Sequence, residues 1–167
     1  MSGSINFLFH ILGFGIIFTA LLGGWIVEQH IRSEKDWSKK TILMNLNRRF
    51  GLLSPLASGI LLLTGIINIF NVYSGHIALW HTEGWLVAKI ILFAFLLVNG
   101  AVFGPILVRR RMKSLKSILE NSPTEDAEST FKILSKSIST FYLVQFLLLL
   151  IILFLSIAGT GKHPGAL

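Results

Sequence analysis

Four apolar stretches dominate this sequence, at about residues 5–27, 50–72, 85–108 and 141–158. Each meets the roughly 20 residues needed to cross a hydrocarbon core about 30 Å thick. None alternates in the manner of a membrane β-barrel strand, so only helices can satisfy the backbone hydrogen bonds in lipid. The expected fold is therefore all-α: a polytopic membrane protein, a four-transmembrane-helix bundle forming one integral membrane domain over residues 1–167. Composition agrees, since only 14% of residues are charged, against about 25% in a soluble domain. The absence of Cys excludes a disulfide framework and a thiolate metal site. The N-terminus has no basic region and no clear small-residue cleavage site, so the first span reads as retained and not as a signal peptide.

The charges are not spread evenly. Arg32, Lys35, Lys39, Lys40, Arg48 and Arg49 lie between spans one and two. Arg109, Arg110, Arg111, Lys113, Lys116, Lys132 and Lys136 lie between spans three and four. By the positive-inside rule the protein is expected in the cell inner (cytoplasmic) membrane, with both basic connections cytoplasmic. The termini and the 73–84 connection then lie outside. Topology accounts for the net charge of +7, so the lipid bilayer is the expected partner and nucleic acid is not. Trp25, Trp80 and Trp85 suit interfacial anchors.

Both basic connections carry helix signals. Ser122-Pro123-Thr124-Glu125 places a capping Ser, a first-turn Pro and a Glu three residues on. Phe131, Leu134 and Ile138 continue at helical spacing into span four, and Met112, Leu115, Ile118 and Leu119 form a matching stripe out of span three. A cytoplasmic helical hairpin extension of these two spans is expected. Residues 33–36 read as the cap of a short amphipathic helix leading into span two.

Polar side chains in lipid face the bundle interior, so their helical phase locates the core. Span two offers Gly51, Ser54, Ser58, Gly65 and Asn68 on one face, span one His10, Gly13 and Gly24, and span four Tyr142, Gln145 and Ser156. Span three carries Lys89, Asn99 and the pair Gly100-x-x-x-Gly104, which favours close packing within the bundle. His10 and Lys89 are the ionisable residues inside the spans, each roughly 6–8 Å below the outer boundary. His76, His81 and His163 fall on that same side, while His30 and Glu28 sit at the inner end of span one.

A neutral imidazole can bind haem iron, copper or zinc. An ammonium at this depth can pair with an anion or carry a proton. Equally, such a His can simply bond a neighbouring helix and such a Lys can reach for the headgroups. No HExxH, GxGxxG, P-loop or CxxC motif occurs, so hydrolase and nucleotide-binding readings have no support.

Three segments together resemble a known group: FLFHILGFG in span one, NRRFGLLSPLASGILLLTG through span two and WLVAKI opening span three. It comprises the haem-b-associated bacterial protoporphyrinogen oxidases, the copper-resistance D-type proteins and related small four-helix membrane proteins. The resemblance covers residues 6–108. It implies His10 as a haem-ligand candidate, Lys89 as the group's span-three lysine, Arg49 and Pro55 as the start of span two, and His30 as a second histidine. Asn99-Gly100 stands where the oxidases usually place another histidine, and the tail KHPGAL lacks their Arg-x-x-Asn-Glu segment.

Three functional expectations follow. The first is redox chemistry or porphyrin handling with haem b, using His10 as iron ligand, Lys89 as catalytic and cofactor-binding partner, and Arg49 on the cofactor. The second is a non-catalytic accessory subunit of a larger membrane complex, with other membrane subunits or a homo-oligomer as partners. The third is copper handling through His10, His76, His81 and His163.

Overall fold

The structure, a computed structural model, describes residues 2–73, 81–121 and 124–159. Its elements are α1 (Ser2–Ser33), α2 (Trp37–Val72), α3 (Gly84–Val98), a π-helical turn (Asn99–Phe103), α4 (Gly104–Asn121) and α5 (Glu125–Gly159). The helix α3, the π-turn and α4 run on as one rod, so the expected four-helix membrane bundle is what forms. No strand occurs among the described residues. The four apolar helices span 30 to 37 residues each, or roughly 45–55 Å at 1.5 Å per residue. That exceeds a hydrocarbon core of about 30 Å, so the helices project beyond it as the hairpin signals require.

Local chemistry sets the helix boundaries. Asp36 caps α2, its Oδ1 accepting from the Ser38 and Lys39 backbone N–H groups at 2.7 and 3.3 Å. The preceding Glu34 carboxylate accepts from the N–H groups of Lys35 and Asp36, and these bonds hold its pKa below the usual carboxylate range. The cap expected at 33–36 therefore exists, but the helix it starts is not short. It continues through span two, with Pro55 in its interior. Transmembrane helices tolerate such a Pro because neighbours satisfy the freed backbone. At the start of α5, Thr124 Oγ1 accepts from the Ala127 N–H at 3.4 Å, while Ser122, the cap expected there, lies outside the described residues. Glu125, Asp126 and Glu128 in the first turn suit the positive end of the helix dipole.

Helix α1 packs along α2, and α5 packs against α1, α3 and α4, whereas α2 barely touches α4. Glycines allow the close approaches. A Cβ on Gly24 would sit 2.7 Å from the Tyr142 ring, one on Gly13 3.0 Å from Ile60, and one on Gly104 3.2 Å from Phe141. One apolar cluster lies at membrane level around Ile17, Leu21, Ala57, Leu61, Leu96 and Leu149. A second joins Ile31, Met44, Leu115, Ile118 and Phe131 at the basic end, where Trp37 meets Phe131 edge-on. This second cluster is the core of the expected helical hairpin, and it also takes in the ends of α1 and α2.

Between the clusters lies an ion pair. Arg111 Nη1 on α4 bonds both Glu28 carboxylate oxygens on α1, the longer contact at 2.6 Å. Glu28 is 0% exposed and Arg111 1%. Asn47 on α2 donates to Glu28 Oε2 at 3.3 Å, and the Tyr142 hydroxyl on α5 donates to Asn47 Oδ1 at 3.0 Å. One network thus ties together all four long helices. Removing one partner of a buried pair strands the other charge, at a cost of about 3–5 kcal/mol. Glu28→Ala should therefore lower the thermal midpoint in detergent sharply. Adding Arg111→Met should recover most of the loss, and a single variant as stable as the parent would contradict this role.

Candidate functional site

At the end of the bundle away from the basic connections, α1 and α2 share a polar cluster. Asn6 Nδ2 donates to Asn68 Oδ1 at 2.6 Å and to the Thr64 carbonyl at 3.2 Å. One turn further along α1, His10 Nδ1 lies 2.8 Å from Thr64 Oγ1. The Thr64 hydroxyl already donates to the Ile60 carbonyl at 2.6 Å. Its oxygen is thus an acceptor toward the ring, which assigns the proton to Nδ1 and leaves the Nε2 lone pair as the donor to any ligand. Residue type explains the geometry. The Thr hydroxyl bonds back to its own helix, and that bond orients the oxygen that orients the imidazole.

His10 is half-buried and turned toward α2, as helical phase predicts. Lys89 on α3 is also half-buried, with Nζ 5.3 Å from the Trp85 ring centroid, and its charge reaches His10 electrostatically. The Trp85 indole in turn donates to Glu83 Oε2 at 3.1 Å. Its ring presses on Gly159 so closely that any Cβ there would collide with it. These contacts seat the start of α3 against the end of α5 and so fix the depth of Lys89.

The remaining sequence candidates are distributed differently. Arg49 is exposed on α2, fifteen residues before Thr64 and so about 22 Å from it along the helix; the structure does not bring it to His10. His30 is exposed, and its Nδ1 faces its own Ile26 carbonyl at 2.9 Å. Twenty residues along α1, or about 30 Å, separate it from His10, so one iron could not take both. His81 is exposed just before α3, and His76 and His163 lie outside the described residues. Among the described residues no three His, Cys, Asp or Glu side chains are grouped to hold a metal.

Sequence reasoning missed the Glu28, Asn47, Arg111 and Tyr142 network. Arg111 stood among the charges that set topology, yet it is buried. A signal was present: Glu28 is the one acid on the first apolar helix, and an acid there needs a cation from another helix. On α5, Gln145 Nε2 donates to the Leu96 carbonyl at 3.2 Å, facing inward as expected. Ser156 only bonds back to its own helix, at the Ile152 carbonyl.

Four apolar helices closed by an internal ion pair, with a histidine in a polar cluster at one end, define a small multi-pass integral membrane protein. Residues 44–158 match the family model of copper resistance protein D, more than half of the chain, and the chain belongs to that family. The matched stretch contains Lys89 and most of α2 through α5 but stops short of α1 and His10. Compared with the curated proteins and with the solved structures, the chain finds no match. Of the two branches of the resemblance, the copper-resistance branch is thus the one supported; the haem-b oxidase branch is not. Thr64→Val removes the acceptor for the Nδ1 proton. The ring nitrogens of His10 in ¹⁵N spectra should then change from the pattern of a single Nδ1–H tautomer to a mixture, and an unchanged pattern would count against the assigned orientation.

Proposed function

We propose that this membrane protein handles copper, with the ion as its substrate, and that the polar cluster at the His10 end is where the ion is met. The observation that carries the reading is the His10 imidazole, held by Thr64 with its Nε2 lone pair available. Imidazole nitrogen suits copper, and membership of the copper resistance protein D family supports copper over other metals. His81, just before α3, supplies a further imidazole at the same end of the bundle, and by sequence His76 precedes it in the same connection.

Lys89 gives the cluster a second property. A fixed ammonium near a bound cation weakens the site through Coulomb repulsion. For an ion that must be passed on and not stored, weaker holding favours release. Lys89 is therefore the electrostatic partner of the site, and Arg49, on the far part of α2, has no part in it. Bis-histidine ligation of haem b would need a second imidazole beside His10, and His30 is out of range.

Copper affinity of the protein in lipid nanodiscs, measured by competition with a chromophoric chelator, tests the assignment. His10→Ala should weaken binding by at least about tenfold, a loss of 1.4 kcal/mol. Joint replacement of His76 and His81 should weaken it further, His30→Ala should leave it unchanged, and Lys89→Gln should strengthen it. Copper binding indifferent to His10 would defeat the proposal. So would a Soret band in the purified protein that His10→Ala abolishes, since the imidazole would then belong to haem.

A further inference from the structure

The bundle does not close on all sides. Where α2 faces the rod formed by α3, the π-turn and α4, a cavity of about 670 Å³ occupies the seam. Gly51, Ser54 and Ser58 of α2 form one wall, and Gly100, Ala101 and Gly104 form the other. Small residues on facing membrane helices ordinarily let the backbones meet. Here α2 barely meets α4, and a Cβ added at Gly51 would find nothing within 4 Å. The missing side chain at Gly51 thus leaves space open on the α2 side, while Gly100 and Gly104 of the other wall pack tightly against Gln145 and Phe141 of α5. The π-turn at Asn99–Phe103 forms part of that wall, and such turns concentrate at functional positions.

Two polar groups on the cavity wall are buried without partners, Arg111 Nε and Gln145 Oε1. Their residues are 1% and 3% exposed, and buried polar atoms are otherwise almost always hydrogen-bonded. Neither atom opens onto the cavity, so what points to an occupant is the shape and charge of the cavity lining. The occupant's charge follows from that lining. Arg48, Arg109 and Arg111 all border the cavity at its basic end, and Glu28 compensates only Arg111. That surplus repels a copper ion and attracts an anion.

The occupant's remaining surface must be apolar. Leu52 and Pro55 on one lip and Ala101 and Pro105 on the other are exposed, so the cavity opens sideways, where acyl chains lie. From Arg48 to Ser58 the wall runs roughly 15 Å, about half of a 30 Å hydrocarbon core. We infer that this seam is a binding site for one anionic phospholipid, its phosphate on Arg48 and Arg109 and an acyl chain between α2 and the π-turn. Basic pockets between transmembrane helices recognise anionic headgroups in this way. A small soluble anion has no use for the apolar walls. A second copy of this chain in the same orientation would bring its own arginines against these.

Lipid titrations of delipidated protein, read by native mass spectrometry and by thermal midpoint in detergent, test the inference. Phosphatidylglycerol should form a stoichiometric adduct and raise the midpoint, whereas phosphatidylcholine and glycerol 3-phosphate should do neither. Arg48, Arg109 and Gly51 are exposed, so their variants keep the fold. Arg48→Gln with Arg109→Gln should cut the preference for phosphatidylglycerol about fivefold per arginine. Gly51→Leu, which fills the groove, should abolish the adduct. Copper binding at the His10 end should be unchanged in both variants. Equal response to the two lipids, an equal response to glycerol 3-phosphate, or a preference that survives both variants would overturn the inference. A dimer that Gly51→Leu dissociates would also overturn it, placing a second copy in the seam.

Discussion

The ion pair between Glu28 and Arg111 governs how these helices sit together. In lipid the apolar faces of four helices have little reason to prefer one another to acyl chains. Apolar sequence therefore drives insertion but leaves helix rotation undecided. Two charges that must not face lipid decide it. With Glu28 on α1 and Arg111 on α4 fully buried, and Asn47 and Tyr142 completing the carboxylate's bonds from α2 and α5, each helix has one rotation that satisfies the network. Glycine contacts refine the fit, since Gly24 leaves the space into which the Tyr142 ring fits.

That anchoring has consequences at both ends. Toward the basic end, Ile31, Met44, Leu115, Ile118 and Phe131 form a second core, so the projecting helix ends pack as part of the bundle and not as loose tails. Toward the other end, the rotation of α1 that buries Glu28 also turns Asn6 and His10 onto Thr64 and Asn68. It is the polar residues, spaced along one face of α1, that make these two outcomes compatible.

The two proposed sites differ in sign and in place. The cluster at His10 offers a nitrogen lone pair, with the Lys89 ammonium at the same end of the bundle, and we read the two as meeting a cation and letting it go. The seam between α2 and α4 offers surplus arginine beside apolar walls, the conditions for an anionic amphiphile. Residues 44–158, the part matched to the copper resistance protein D family, include Lys89 and most of the seam but not His10. The family resemblance thus speaks mainly for the frame, and the imidazole rests on its own geometry.

Much of the frame was legible from one-dimensional pattern. Apolar stretches long enough to cross a bilayer, the cap at Asp36, the stripes at Leu115 and Phe131 and the inward phase of His10 and Gln145 depend on local spacing, and helices preserve local spacing in space. Other features were not legible, because they depend on which helices become neighbours. Arg111 reads as one more loop cation until α1 presents Glu28 to it. Arg49 and His10 belong to one resemblance in sequence, yet fifteen residues of α2 separate Arg49 from Thr64, the partner of His10. Gly51 shares its face of span two with other small and polar residues, and only the splaying of α2 from α4 turns that face into the wall of a cavity. Hydrophobicity and helical period therefore settled that four helices cross the membrane and which residues share a face. The partners of each face, and the gap left between two of them, came from the tertiary structure, because pairing buried charge is a property of several helices at once.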